Sequence, residues 1–113
     1  MPIMIGFSQH RRQLLEAELR RALEEMPQLG AERIYLTGGM ALGHVGPETE
    51  LELVIVQRTD EPFHRRADFW ASHLRPRVAT RYTVYTPDEV DSLAETDPLL
   101  ISALAYGEPV HGG

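Results

Sequence analysis

The sequence predicts an α+β fold, a small sheet with helices packed against it, on two observations. Three short runs carry strand composition, Arg33 to Thr37, Leu51 to Gln57 and Thr80 to Tyr85, and helical periodicity lies before, between and after them. The coarse order is αβ(α)βαβαα, and 113 residues suit a single domain over 1–113, burying roughly 65% of its unfolded surface without a staple.

In the first helix, opened by Ser8 as a cap, Leu15, Leu19, Ala22, Leu23 and Met26 form one apolar stripe, and Pro27 and Gly30 end it. The opposite side, with Glu16, Arg20, Arg21, Glu24 and Glu25, reads as a solvated face. Gly38, Gly39 and Gly43 bracket a single helical turn at Met40 to Leu42. The run LELVIVQ from Leu51 has apolar residues on both faces in its second half, as a central strand covered on two sides requires.

A second helix follows Asp60, Glu61 and Pro62, with Phe63, Ala67, Trp70, Ala71 and Leu74 as its buried stripe and Pro76 as its stop. Trp70 on that stripe reads as packing rather than base stacking. Tyr82 and Tyr85 fall on opposite faces of the third strand. Thr86, Pro87 and Glu89 make a capping box, and Asp97 with Pro98 opens a last helix, Leu99 to Tyr106, stopped by Gly107. The tail from His111 to Gly113 is expected to fray.

Composition removes several classes of function. There is no cysteine, hence no disulfide framework, thiolate zinc site or cysteine nucleophile, and a cytoplasmic address is the expectation. The apolar opening from Met1 to Phe7 is too short for a signal-peptide core or a membrane span. A net charge of −6 gives no electrostatic footprint for DNA or RNA. All eleven basic residues are arginine, so lysine chemistry is absent. His10, His64, His73 and His111 show no metal-ligand spacing.

The stretch from Ile34 to Gln57 carries the chemistry: a strand, Gly38-Gly39, ten residues, then Glu50-Leu51-Glu52 entering the next strand. Residues in i, i+2 relation on a strand share a face, so two carboxylates there can converge on one site. Glycines after a strand let backbone N–H groups approach phosphates. His44, in the same glycine-rich loop, is placed to face a phosphate or to stand exposed.

This pattern resembles the minimal nucleotidyltransferases of the polymerase β superfamily, whose signature is Gly-Ser, ten residues and Asp-x-Asp at the start of a strand. The resemblance extends to VYTPDEV from Val84 and ISALAYGEPV from Ile101, and so covers nearly the whole chain. It implies a small mixed sheet packed with helices and metal-dependent transfer of a nucleoside monophosphate from an NTP such as ATP. The glycine pair would hold the triphosphate, and Glu50 and Glu52 would bind Mg²⁺ or Mn²⁺. A helical HEPN-type partner, as in toxin–antitoxin pairs, is implied as well, and apolar helical faces also allow a homodimer.

Four departures stand against that pattern. Both aspartates are glutamates, each longer by a methylene, whereas Mg²⁺ demands near-ideal octahedral ligation. Arg81 stands at the third carboxylate, where a fixed cation opposes metal binding or neutralises Glu50 or Glu52. Gly39 replaces the serine, and Met40 and Leu42 stand where arginines are common. The expectation is a retained fold with lost or much reduced catalysis. An active enzyme using Glu50 and Glu52, with Arg81 as a phosphate contact, and a binding module without catalysis are the alternatives.

Overall fold

In a computed structural model the protein is described over residues 2–112, with side chains from Ser8 onward. The elements are α1 (Pro2–Glu25), β1 (Ala31–Thr37), α2 (Gly38–Ala41), β2 (Leu51–Gln57), α3 (Arg66–Leu74), β3 (Thr80–Tyr85), α4 (Pro87–Leu93), α5 (Pro98–Tyr106) and β4 (Glu108–His111). Short 3-10 turns lead into β1 and α3. The strands form one mixed sheet in the order β3-β2-β1-β4. β1 is antiparallel to both β2 and β4, whereas β2 and β3 are parallel and joined through α3.

Strand alternation divides the core between two faces. Ile34, Leu36, Leu51, Leu53, Ile55, Tyr82 and Val84 pack with Leu15, Ala22 and Met26 of α1 and with Trp70 and Leu74 of α3. Tyr35, Val54, Val56 and Tyr85 pack with Val90 of α4 and Leu100 and Ala103 of α5. β2 is therefore covered on both sides, and every residue in it except Glu52 is buried. Tyr82 and Tyr85 lie on opposite faces, as their spacing requires. Among the described residues, no helix is long and apolar enough to cross a membrane.

Four sequence-based expectations change. The first helix begins at Pro2, so Ser8 lies within it rather than capping it. Of the expected α3 stripe, Ala67, Trp70 and Leu74 do face the core, whereas Phe63 is half exposed, Ala71 is exposed, and Arg66 joins the buried row. The helix proper starts only at Arg66, and Phe63 lies in the 3-10 turn before it, outside the helical row. Pro76 is not the stop: the chain leaves α3 at Arg75, in a left-handed conformation. The tail is held as far as His111, because β1 offers a second edge and β4 pairs with it, Ile34 opposite His111 and Leu36 opposite Glu108.

Trp70 is fully buried, and its indole N–H donates to Gln57 Oε1 at 3.0 Å, which satisfies two polar groups inside the core. Arg66 is a second buried polar anchor. Its guanidinium makes a forked pair with Glu89, at 2.6 and 3.1 Å, and donates to the carbonyls of Val84 and Glu61 at 3.1 and 2.8 Å. Glu89 also closes the capping box of α4, accepting from the Thr86 N–H while its own N–H donates to Thr86 Oγ1. One ion pair thus joins α3, the end of β3 and the start of α4.

Removing Arg66 leaves that network without its donor, so Arg66→Ala is expected to lower unfolding free energy by about 3 kcal/mol in urea titration. Trp70→Phe, which keeps the ring but orphans Gln57, should lose about 1–3 kcal/mol. The hydrogen bond from Arg66 holds the Glu89 carboxyl below its ordinary value. Its stabilisation is therefore complete above about pH 4.3 and is lost as pH falls through the lowered folded value. Acid titrations of the wild type and Glu89→Gln should show this limb only in the wild type. Burial pushes the Tyr82 hydroxyl up to about 12, so its contribution is full below about pH 10 and fades as pH rises toward that value. Tyr82→Phe should remove that alkaline limb.

Candidate functional site

The register of β2 builds the site. Glu52 lies opposite Thr37 of β1 and opposite Arg81 of β3, so the three form one row across the sheet. Because Leu51 and Leu53 belong to the core on the α1 side, Glu52 points to the other face. Arg81 shares that face for the same reason, since Tyr82 and Val84 point toward α1 and α3. Glu50 precedes β2 by one residue.

The two glutamates meet different partners. Glu50 Oε2 lies 3.4 Å from Arg81 Nη2, a contact between side chains that remain 41% and 66% exposed. The Glu52 carboxylate lies against Gly38, so closely that a methyl group on Gly38 would collide with its Oε2. Gly38 also takes φ +73°, a conformation side chains rarely adopt. Position 38 therefore requires glycine twice over. The Thr37 hydroxyl donates to the Glu52 carbonyl at 3.3 Å, fixing the strand beneath the carboxylate.

Gly39 is constrained differently. The His44 N–H donates to the Gly39 carbonyl at 2.8 Å, closing the turn of α2, and a Cβ at Gly39 would stand 2.8 Å from the His44 carbonyl. A serine at 39 would force this clasp open. His44 thus contributes its main chain to the turn, and its residue is exposed. Farther along the loop, the Gly46 N–H donates to Thr49 Oγ1 at 2.8 Å, and Arg11 of α1 donates to the Pro47 carbonyl at 2.7 Å.

Beside Gly38 the C-terminal end of α5 closes a small cleft of ≈ 130 Å³, with Thr37, Leu42, Ser102 and Tyr106 in its walls. Small-molecule pockets run from about 300 to 1,000 Å³, so this cleft does not enclose a nucleotide. Thr37 and Tyr106 were not singled out by sequence reasoning. The strand-end position of Thr37, directly before the glycine pair, was the available signal; nothing in the local sequence around Tyr106 points to the turn sixty-eight residues earlier. Among the described residues, no group of three or more His, Cys, Asp or Glu side chains is arranged to hold a metal ion.

Compared with known proteins, the sequence matches no family model and no curated protein. The fold does have a counterpart among solved structures. A crystal structure at 1.40 Å of a protein from Sulfolobus solfataricus, provisionally assigned as a nucleotidyltransferase, superposes with a TM-score of 0.50 at 18% identity. The likeness covers 78% of either chain. At that identity the likeness concerns architecture, and what this chain shares with that protein is an α+β nucleotidyltransferase fold with a mixed sheet.

Proposed function

We propose that this protein keeps the nucleotidyltransferase frame while metal-dependent transfer of a nucleoside monophosphate from an NTP is lost or much reduced. The observation that carries this reading is the position of Arg81, in register with Glu52 and 3.4 Å from Glu50. The two-metal reaction needs carboxylates converging on cations that bridge phosphate oxygens. Here one glutamate turns to a guanidinium and the other lies against Gly38. A permanent cation at the third corner repels a divalent ion and leaves fewer anionic oxygens to hold it. This donor set does not fit Mg²⁺ or Mn²⁺.

What the face retains is an exposed ion pair beside a tightly packed glycine turn. Such a surface suits recognition better than turnover. A protein partner, the HEPN type implied by the sequence resemblance included, or a second copy of the chain is compatible with this reading.

The test is direct. Incubation with α-labelled ATP, GTP, CTP or UTP and either Mg²⁺ or Mn²⁺ should leave the protein and added acceptor proteins unlabelled. Robust labelling abolished by Glu52→Ala would overturn the proposal. Calorimetry with Mn²⁺ gives the complementary result. The wild type should show no saturable binding at millimolar metal, whereas the triple variant Glu50→Asp, Glu52→Asp, Arg81→Asp should acquire it. Equal titration curves for the two would mean that Arg81 and side-chain length are not what disables the site.

A further inference from the structure

Among the described residues, Arg75 is the one non-glycine residue with positive φ, at φ 46° and ψ 63°. It ends α3, its N–H donating to the Ala71 carbonyl at 3.1 Å. Glycine makes this left-handed turn without steric cost, and any side chain there is strained. Pro76 follows, and a proline drives the residue before it toward extended backbone. Position 75 therefore carries an arginine where both its own conformation and its neighbour favour something else. Strain of this kind persists where the surrounding structure enforces it, and it clusters at ligand-binding and active sites.

The side chain lines a groove of ≈ 500 Å³ between α1 and the segment entering β3, with Ala17, Glu18, Arg21, Leu74 and Arg77 as the other walls. Its single carboxylate is already engaged: Glu18 is buried, Oε2 accepts from Arg21 Nη2 at 2.7 Å and Oε1 accepts from the Arg77 N–H at 2.9 Å. Glu25 Oε2 lies 3.6 Å from Arg21 Nη1, so the outer side of that guanidinium is balanced as well. The side chains of Arg75 and Arg77 have no carboxylate within 4.0 Å among the described residues. In a chain of net charge −6, the result is a positive concavity with two uncommitted guanidinium forks.

We propose that this groove binds a phosphate-bearing anion, with Arg75 and Arg77 as the donors and Arg21 held in place by Glu18. Planar guanidinium groups match pairs of phosphate oxygens, which an ammonium does not, and the chain contains no lysine. The groove volume falls within the range of small-molecule pockets. It opens on the α1 side of the sheet, whereas Glu50, Glu52 and Arg81 belong to the other, so it is a separate site. Its existence does not depend on whether nucleotidyl transfer survives.

A cation at the C-terminal end of α3 is also favoured by the helix dipole, and a ligand-free role for Arg75 rests on that alone. The two roles separate experimentally. Calorimetry with inorganic pyrophosphate at low salt should give saturable binding, and backbone NMR shifts should centre on residues 17–21 and 74–77. ATP is the second arm: tighter binding than pyrophosphate makes a nucleotide triphosphate the ligand, weaker binding makes it the free anion, and either supports the site. Arg75→Gly should raise the melting temperature by relieving the turn while weakening pyrophosphate by about fivefold, and Arg77→Ala should weaken it similarly. Arg75→Lys, which keeps the charge at the helix end but not the fork, should also weaken it. Arg75→Gly that raises melting temperature with unchanged affinity overturns the proposal. So does failure of both pyrophosphate and ATP to saturate, or sulfate binding as tightly as pyrophosphate, which marks an adventitious anion patch only.

Discussion

The pairing of β2 with antiparallel β1 on one side and parallel β3 on the other decides which side chains meet at the candidate site, because side chains alternate along a strand and a slip of one residue reverses every face. With Leu51 opposite Thr80 and Ile55 opposite Val84, the apolar residues on one side of β2 enter the α1 and α3 core while Glu52 emerges beside Arg81. Moving β3 by a single position would bury Arg81 and expose Tyr82. The hydrophobic alternation of two strands, not a local motif, therefore sets a guanidinium next to the candidate carboxylates.

That register is guarded at the edge of the sheet. The Leu51 N–H donates to the Ala79 carbonyl at 2.9 Å, so the main-chain groups of Thr80, Tyr82 and Val84 face outward from β3. Arg66 takes the outward carbonyl of Val84 and holds Glu89 beside it. A partly buried charge pair set against an edge strand both fixes the strand end and discourages another chain from adding to it. On the opposite edge, β4 is four residues long and contains Pro109, which has no N–H to offer. Both edges are thus limited by chemistry legible in the side chains once the topology is known.

Much of the scaffold was legible in the sequence. LELVIVQ announced a strand covered on two faces, and Thr86-Pro87-Asp88-Glu89 announced a capped helix, because both signals are local. Local signals failed where distant partners decide. The Phe63 stripe looked periodic, yet α3 begins three residues later and buries Arg66, whose partners Glu89 and Val84 are remote in sequence. β4 was missed because Glu108 to His111 is a strand only by virtue of β1's vacant edge. At the candidate site, the i, i+2 spacing of Glu50 and Glu52 and the ion pair to Arg81 were foreseeable. The closeness of Glu52 to Gly38 and the hydrogen bond from His44 N to Gly39 O were not, since both depend on how the loop from 38 to 50 folds back.

The ion pair at the site contributes little to holding the protein together. Arg81 and Glu50 are both well exposed, and such pairs contribute about 0–1 kcal/mol. The stabilising burden rests instead on Trp70, Arg66 and the two-sided core around β2. Arg81 therefore matters to the site more than to the fold: on the proposed reading it supplies, within the chain, positive charge that the two carboxylates at the strand end would otherwise take from solution. On that reading, with the charge covalently attached, the side chains no longer have to satisfy the strict geometry of a small divalent ion. Glutamate, with its longer reach, is then as acceptable as aspartate, one turning to Arg81 and the other lying over a glycine. Two glutamates and one arginine are thus a mutually consistent set, each tolerable because the others are present.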